Sequence, residues 1–376
     1  MNNNKSVEFQ LMKGVAIIGL PIVHISEYID EQLSSFVTEA HQLFIFLTVL
    51  LSIGGPVLFT MCMGYGIANS KKSSLKYFNL GVQFILLGAI LNIVRWILPA
   101  ILKFATSTIN YADFIKELYM FFKSDIYYFV GLFFIVYAIL RYFHINTIEM
   151  IIIGIATLII GNAISPYIII ENPLLNNLAG NLIYLNKNSC FPLSAWFIFP
   201  CVGILMGERF KALDENEYDK TLKRLGCISA VIIIAFIIIL QSNIFPLIVG
   251  AFNQYFINEI SVILLVCITI MWLCLARFIC KRWLNTKTVK TILTVSVHIS
   301  LYYMLQWVFI AWLFSLFKIF NIEINSIFLH ILITVIIMTL CIIICKKWGY
   351  KLTKILMKLT YVKPVSINLQ PNNKHY

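Results

Sequence analysis

Charged residues are scarce in this sequence. Asp, Glu, Lys and Arg together make up 12% of its 376 residues, whereas 60% are hydrophobic. The mean hydropathy is +0.87, and a composition of this kind cannot be distributed over a water-exposed surface. The low charge therefore excludes a soluble globular protein and indicates an integral membrane protein.

Three further features are missing. None of the nine cysteines forms a CxxC pair, so we predict neither a redox pair nor a bound metal. No small-residue cleavage site follows the first apolar run, so we expect that run to be retained. No internal repeat is evident. We expect one membrane domain over residues 1–363, followed by a short polar cytoplasmic tail over residues 364–376.

Long apolar runs without alternation, such as VIIIAFIIIL, favour transmembrane helices over a barrel. Windows of ~19 residues predict an all-α polytopic membrane protein with about ten transmembrane helices. The predicted spans are Leu11–Tyr28, Leu43–Ala68, Tyr77–Leu102, Ile126–Phe143, Ile148–Ile170, Phe191–Gly207, Cys227–Ala251, Ile260–Ile279, Thr291–Leu316 and Ile327–Cys345.

Lysine and arginine cluster in alternate loops, and such residues accumulate on the cytoplasmic side of a membrane. The loops after the second, sixth and eighth spans and the C-terminal segment are basic, whereas the first loop, Ser26–Gln42, is acidic. We therefore predict that both termini are cytoplasmic. We therefore also explain the net charge of +12 by this topology and by contact with anionic lipid.

Because no aromatic residues are interleaved with the basic ones, we do not expect nucleic acid as a partner.

Polar residues stand out within the first predicted helix, LMKGVAIIGLPIVHI. In an α-helix, the eleven residues from Lys13 to His24 advance about 16 Å and complete close to three turns, so both side chains lie on one face. Glu27 follows His24 on that face. Lys13 at the inner interface and Glu27 at the outer one have simple snorkelling explanations, but a histidine at this depth indicates either a functional path or an interhelical hydrogen bond.

This helix resembles the first helix of the acyltransferase family three membrane enzymes, in which an arginine, ten residues and a histidine follow one another. Here the cation is Lys13, with Gly14, Ala16 and His24 in place. GGPVLFTMCMGYGI with the basic loop after it, and VHISLYYMLQWVFI, also resemble family segments, although the late-helix histidine is replaced by Gln306. FPLSAWFIFPCVGILMGERF is similar to a segment of the related heparan-alpha-glucosaminide N-acetyltransferase group.

The resemblance implies an O-acyltransferase of the cell membrane, of bacterial plasma-membrane type, that moves an acyl group, most simply acetyl, from acyl-coenzyme A to a hydroxyl of a cell-surface or lipid-linked glycan. Acyl-coenzyme A would be a co-substrate, and no resident cofactor is implied. Histidine exchanges a proton near neutral pH, which suits a general base. The implied catalytic residues are His24, Glu27 and Arg95, the donor-binding residues Lys13, Lys71, Lys72 and Lys76, and the acceptor-pocket residues Tyr302, Tyr303 and Gln306.

Alternatives remain open at the sequence level. Arg95 polarises the thioester oxygen, pairs with Glu27, or snorkels outward beside Trp96. Tyr302, Tyr303 and Gln306 line a pocket or only join helices by hydrogen bonds. A different class of protein also fits, namely a multi-pass transporter or flippase in which the same intramembrane residues form a substrate or proton path.

Overall fold

The computed structural model of this protein describes residues 4–30, 55–185, 189–240, 257–322 and 327–360, without the side chains of residues 4, 5, 26–30, 240 and 327. Over these ranges the chain is built from helices and contains no strand. The tail 364–376, most of the loop Ser26–Gln42, the first part of the predicted span Leu43–Ala68 and the last part of Cys227–Ala251 lie outside the described residues.

Fifteen α-helices are described. They are α1 Asn4–Asp30, α2 Gly55–Ala68, α3 Ser74–Asn92, α4 Leu98–Ala105, α5 Tyr111–Tyr119, α6 Ile126–Tyr142, α7 Thr147–Ile164, α8 Pro173–Ala179, α9 Leu193–Trp196, α10 Ile198–Lys211, α11 Glu215–Leu240, α12 Glu259–Trp283, α13 Lys287–Val297, α14 Ile299–Ile319 and α15 Ile327–Leu359. A π-helical segment, Ile93–Ile97, joins α3 to α4, and short 3-10 helices cover Met120–Phe122 and Ser165–Tyr167.

The predicted fold class is confirmed. Within the described ranges, nine helical segments are long and apolar enough to cross a membrane, and the shorter apolar helix α2 falls within the predicted second span. The protein is therefore an all-α polytopic membrane protein. Ten crossings would put both termini on one side, and their cytoplasmic location stays a prediction.

Two predicted boundaries are wrong. The span Thr291–Leu316 is divided at His298, whose backbone leaves the helical region and separates α13 from α14. The polar stretch before Cys227 was predicted as a loop, but α11 begins at Glu215 and runs through it into the membrane. Carboxylates in the first turn of α11 stabilise the start of this helix, and a hydropathy window does not detect their effect.

Polar caps explain where many helices start. The side chain of Asp125 accepts a hydrogen bond from the backbone N–H of Tyr127 at the start of α6. Asn146 and Glu149 form a reciprocal capping box at α7, and Thr286 caps α13. These side chains satisfy backbone N–H groups that have no partner within the helix.

Glycines allow the closest helix contacts. A Cβ atom at Gly64 of α2 would lie 2.0 Å from the carbonyl oxygen of Pro200 of α10, and one at Gly203 of α10 would lie 2.1 Å from the carbonyl oxygen of Met61. Gly81 of α3 and Gly131 of α6 meet in the same way. Small residues that let backbones approach are characteristic of transmembrane packing.

Helix α1 is central to the bundle, because it packs against α2, α12, α13, α14 and α15. Its first turns are held by the carboxylate of Glu8, which is fully buried and accepts from Arg277 Nη1 of α12 at 2.8 Å. The hydroxyl of Tyr218 of α11 donates to the other oxygen of Glu8 at 2.5 Å. Three helices are thus joined at the end that is predicted to be cytoplasmic.

Candidate functional site

His24 lies inside the protein, in the outer half of α1. Its side chain is only 6% exposed, and its ring lies against Trp307 of α14 with ring centroids 4.1 Å apart. This histidine therefore faces the protein interior. Its position is fixed because α1 is continuous from Asn4 to Asp30, so the imidazole cannot turn toward lipid without rotating the whole helix.

Arg95 lies in the π-helical segment Ile93–Ile97 and is 3% exposed. Its Nε donates to Asn92 Oδ1 at 3.0 Å, and Nη2 lies 2.9 Å from Asp125 Oδ2. A π-helical turn inserts one residue into an α-helix and changes the direction of the side chains around it, and such turns are frequent at functional sites. The buried ion pair with Asp125 excludes the snorkelling interpretation, which is wrong.

Asp125 gathers three donors from three separate elements. Its Oδ1 caps α6 through the N–H of Tyr127 at 3.0 Å. Its Oδ2 accepts from Arg95 and from the hydroxyl of Tyr303, the latter at 2.9 Å. Asn92 also belongs to this group, because its Oδ1 accepts from Arg95 Nε. Its Nδ2 donates to the carbonyl of Phe121 at 2.8 Å, which holds the amide in place. A charge pair in hydrocarbon is tolerated when it is hydrogen-bonded on all sides, as here.

Trp307 connects the histidine with the ion pair. The guanidinium carbon of Arg95 lies 4.6 Å from the centroid of its ring, within cation–π range, and the His24 ring contacts the same indole. Tyr303, one turn earlier on α14, donates to Asp125. The structure thus brings together three predicted site residues, His24, Arg95 and Tyr303, in one buried group that we call the His24–Asp125 cluster. It comprises His24, Asn92, Arg95, Asp125, Tyr303 and Trp307.

Two other predicted residues, Tyr302 and Gln306, form a neighbouring stripe of α14. Both are 0% exposed. Among the described residues, neither the Tyr302 hydroxyl nor either amide atom of Gln306 has a hydrogen-bond partner. An unsatisfied buried polar group costs ~1–3 kcal/mol. Residues outside the described ranges, water or a polar ligand would each satisfy these atoms, so the role of Tyr302 and Gln306 stays a prediction.

The predicted donor-binding lysines lie elsewhere. Lys13 is partly buried on α1, and the adjacent Gly14 is in close contact with Ile292 of α13. Lys71, Lys72 and Lys76 are exposed between α2 and the first turn of α3. The structure therefore does not join these lysines to the His24–Asp125 cluster.

Glu27 belongs to α1, but its side chain lies outside the described residues, so its catalytic role stays a prediction. The alternative that Arg95 pairs with Glu27 also stays a prediction, and the pair that the structure describes is the one with Asp125.

Sequence reasoning missed Asp125, Asn92 and Trp307. Asp125 carried a signal, because it directly precedes the predicted span Ile126–Phe143, where an acidic residue indicates a helix cap. Its second role as the partner of Arg95 depends on contacts between helices and has no local signature. Among the described residues, no group of three or more His, Cys, Asp or Glu side chains is placed to hold a metal ion.

Comparisons with known proteins add no relative: no family model, curated protein or solved structure matches the chain. The resemblance to acyltransferase family three therefore stays a prediction from the motifs quoted above.

Proposed function

We propose that this protein is a membrane O-acyltransferase that moves an acyl group, most simply acetyl, from cytoplasmic acyl-coenzyme A to a hydroxyl of a glycan or lipid-linked sugar. The observation that carries the proposal is the buried His24 against Trp307 of α14, the helix on which the polar atoms of Tyr302 and Gln306 have no partner among the described residues. A polar acceptor bound there would satisfy these atoms and place a hydroxyl near an imidazole.

The chemistry follows from this arrangement. His24 takes the proton of the acceptor hydroxyl while the hydroxyl oxygen attacks the thioester carbonyl carbon. The tetrahedral intermediate then collapses, the carbon–sulfur bond breaks, and the imidazolium returns the proton to the departing thiolate. Arg95, held by Asn92 and Asp125, would present a fixed dipole to the oxyanion without reorganising during the reaction.

The donor would enter from the cytoplasmic side. Lys13 and His24 lie about 16 Å apart along α1, a separation that an extended pantetheine arm could bridge with its phosphates near Lys13 and its thioester near His24. Lys71, Lys72 and Lys76 would then contribute to the attraction of the polyanionic donor as point charges. We further propose a bacterial plasma membrane as the location.

Thioester hydrolysis tests the proposal. The purified full-length protein is incubated with acetyl-coenzyme A, and the release of free coenzyme A is followed with a thiol reagent. We expect slow release by the wild type and a loss of about 10²- to 10⁴-fold in His24→Gln, as for removal of a general base. His330→Gln is the matched control, because His330 is also a buried intramembrane histidine, 1% exposed, outside the cluster.

An intact rate in His24→Gln, or an equal loss in His330→Gln, would remove His24 from the mechanism. If the folded wild type releases no coenzyme A, with or without simple sugar acceptors, the enzyme proposal fails.

A transporter or flippase is the second candidate, and the Arg95–Asp125 pair favours it. Intramembrane ion pairs are rare and often mark ion or substrate paths. In proteoliposomes, this reading predicts that a pH gradient drives uptake of labelled sugar in the wild type but not in Asp125→Asn, with no thioester cleavage.

A further inference from the structure

A small pocket opens where α13 begins, beside the part of α15 that follows its membrane span. Its volume is about 330 Å³. We call it the lysine pocket, and it is lined by Asn285, Lys287, Lys290, Thr291, Thr294 and Lys346. By the distribution of basic residues, this end of the bundle is the cytoplasmic one.

The lining is cationic and contains no carboxylate. Lys287 and Lys290 come from the first turn of α13, whereas Lys346 comes from α15, so the fold itself brings the third charge to the other two. Lys346 Nζ is 3.5 Å from Thr291 Oγ1. Like charges that share a small space repel one another unless an anion neutralises them.

Three other lysines of the described chain form ion pairs. Lys281 pairs with Asp219 at 2.5 Å, Lys103 with Glu117 at 2.5 Å, and Lys116 with Asp113 at 3.1 Å. For the three lysines of the pocket, the described residues provide no ion-pair partner within 4.0 Å. The three ammonium groups are exposed, and their charge is open to a ligand from outside the described chain.

The pocket also has hydrogen-bond donors and a positive electrostatic potential, both of which favour a phosphate. The hydroxyl of Thr291 and the amide of Asn285 line it together with the ammonium groups, whereas the Thr294 hydroxyl donates to the carbonyl of Lys290 at 2.8 Å. The N-terminal end of the eleven-residue helix α13 adds a partial positive charge near Lys287.

We propose that the lysine pocket binds a phosphate group on the cytoplasmic side of the membrane. The phosphate could belong to an anionic lipid headgroup or to a soluble organic phosphate, and both would use the same contacts. The proposal does not depend on acyl transfer. Because Ile292, next to Thr291, packs against Gly14 of α1, an occupied pocket would also hold α13 against the helix that carries Lys13 and His24.

The test uses the full-length protein in neutral detergent, with one probe for each source. Equilibrium dialysis measures binding of labelled adenosine 3′,5′-bisphosphate, and native mass spectrometry measures retention of phosphatidylglycerol relative to phosphatidylcholine. The pocket variant Lys287→Gln/Lys290→Gln/Lys346→Gln is compared with the control Lys351→Gln/Lys354→Gln/Lys358→Gln. The control removes the same charge from exposed positions of α15.

We expect at least one probe to bind the wild type and the pocket variant to weaken that binding by about 100-fold, whereas the control changes it by less than about threefold. The probe that binds identifies the source of the phosphate. The single variant Lys346→Gln should weaken binding by about fivefold, which keeps the test valid if the triple variant does not fold. Absence of binding to both probes, or equal losses in pocket and control variants, would overturn the proposal.

Discussion

Replacement of Asp125 by asparagine tests a charge pair whose two side chains are both almost fully buried. Asparagine has nearly the same shape and caps helices as well as aspartate does, so the bond from the Tyr127 N–H is retained. What is lost is the negative charge opposite Arg95, which is 3% exposed and cannot reach water. The substitution therefore isolates the electrostatic part of the interaction.

The expected loss of stability is large because the charge of Arg95 remains buried after the carboxylate is removed. Removal of one partner of a buried ion pair typically costs about 3–5 kcal/mol. The hydroxyl of Tyr303 adds a charge-assisted hydrogen bond to the same oxygen, so Tyr303→Phe should cost about 1.5–3 kcal/mol. In Arg95→Gln/Asp125→Asn neither charge remains, and we expect most of the stability lost in Asp125→Asn to return.

The assay is unfolding by sodium dodecyl sulfate in mixed micelles, followed by far-ultraviolet circular dichroism. Asp113→Asn is the matched control, because Asp113 pairs with Lys116 at 3.1 Å on the exposed helix α5, where an ion pair contributes less than about 1 kcal/mol. If Asp125→Asn costs no more than Asp113→Asn, or if the double variant is no more stable than Asp125→Asn, the account of this ion pair is refuted.

Two further predictions concern packing and topology. Gly64→Ala should destabilise the protein by about 1–3 kcal/mol in the same assay, because its Cβ would meet the Pro200 carbonyl; Gly66→Ala, where a Cβ has no neighbour within 4 Å, should not, and equal effects would contradict the packing. In a variant without native cysteines, an impermeant thiol reagent added outside cells should label Ser107→Cys and spare Lys72→Cys, since both positions are exposed but lie on opposite predicted sides. The reverse pattern would invert the topology.

The membrane spans were predictable because hydropathy is a property of the local sequence. The start of α6 at Ile126, and the cation and histidine on one face of α1, follow from composition and helix geometry. The break at His298 was not predictable, because the apolar run continues through it without proline or a glycine cap. There the chain turns so that the His298 ring packs on Gly349 and its Nδ1 lies 3.0 Å from Thr353 Oγ1.

The candidate site was predictable only as separate residues. His24 and Arg95 were identifiable as ionisable side chains within predicted membrane spans, and the structure places both against Trp307. Trp307 contacts both residues because of the rotation of α14 about its axis. The apolar sequence of this helix does not predict that rotation. The partner of Arg95 was equally unpredictable. A carboxylate that directly precedes a helix is interpreted as a helix cap, and the sequence does not show that a distant arginine lies beside it.

The Arg95–Asp125 pair has a consequence for the synthesis of the protein. Arg95 leaves the ribosome thirty residues before Asp125, and an arginine without a partner in a membrane helix costs at most about 2.5–3.5 kcal/mol on insertion scales, the value at the helix centre. The helix that carries Arg95 is thus poorly suited to enter lipid by itself, whereas α3 and α6 already fit together through Gly81 and Gly131. We expect the translocon to release these two segments into the bilayer together, as a hairpin whose charges are neutralised before lipid surrounds them.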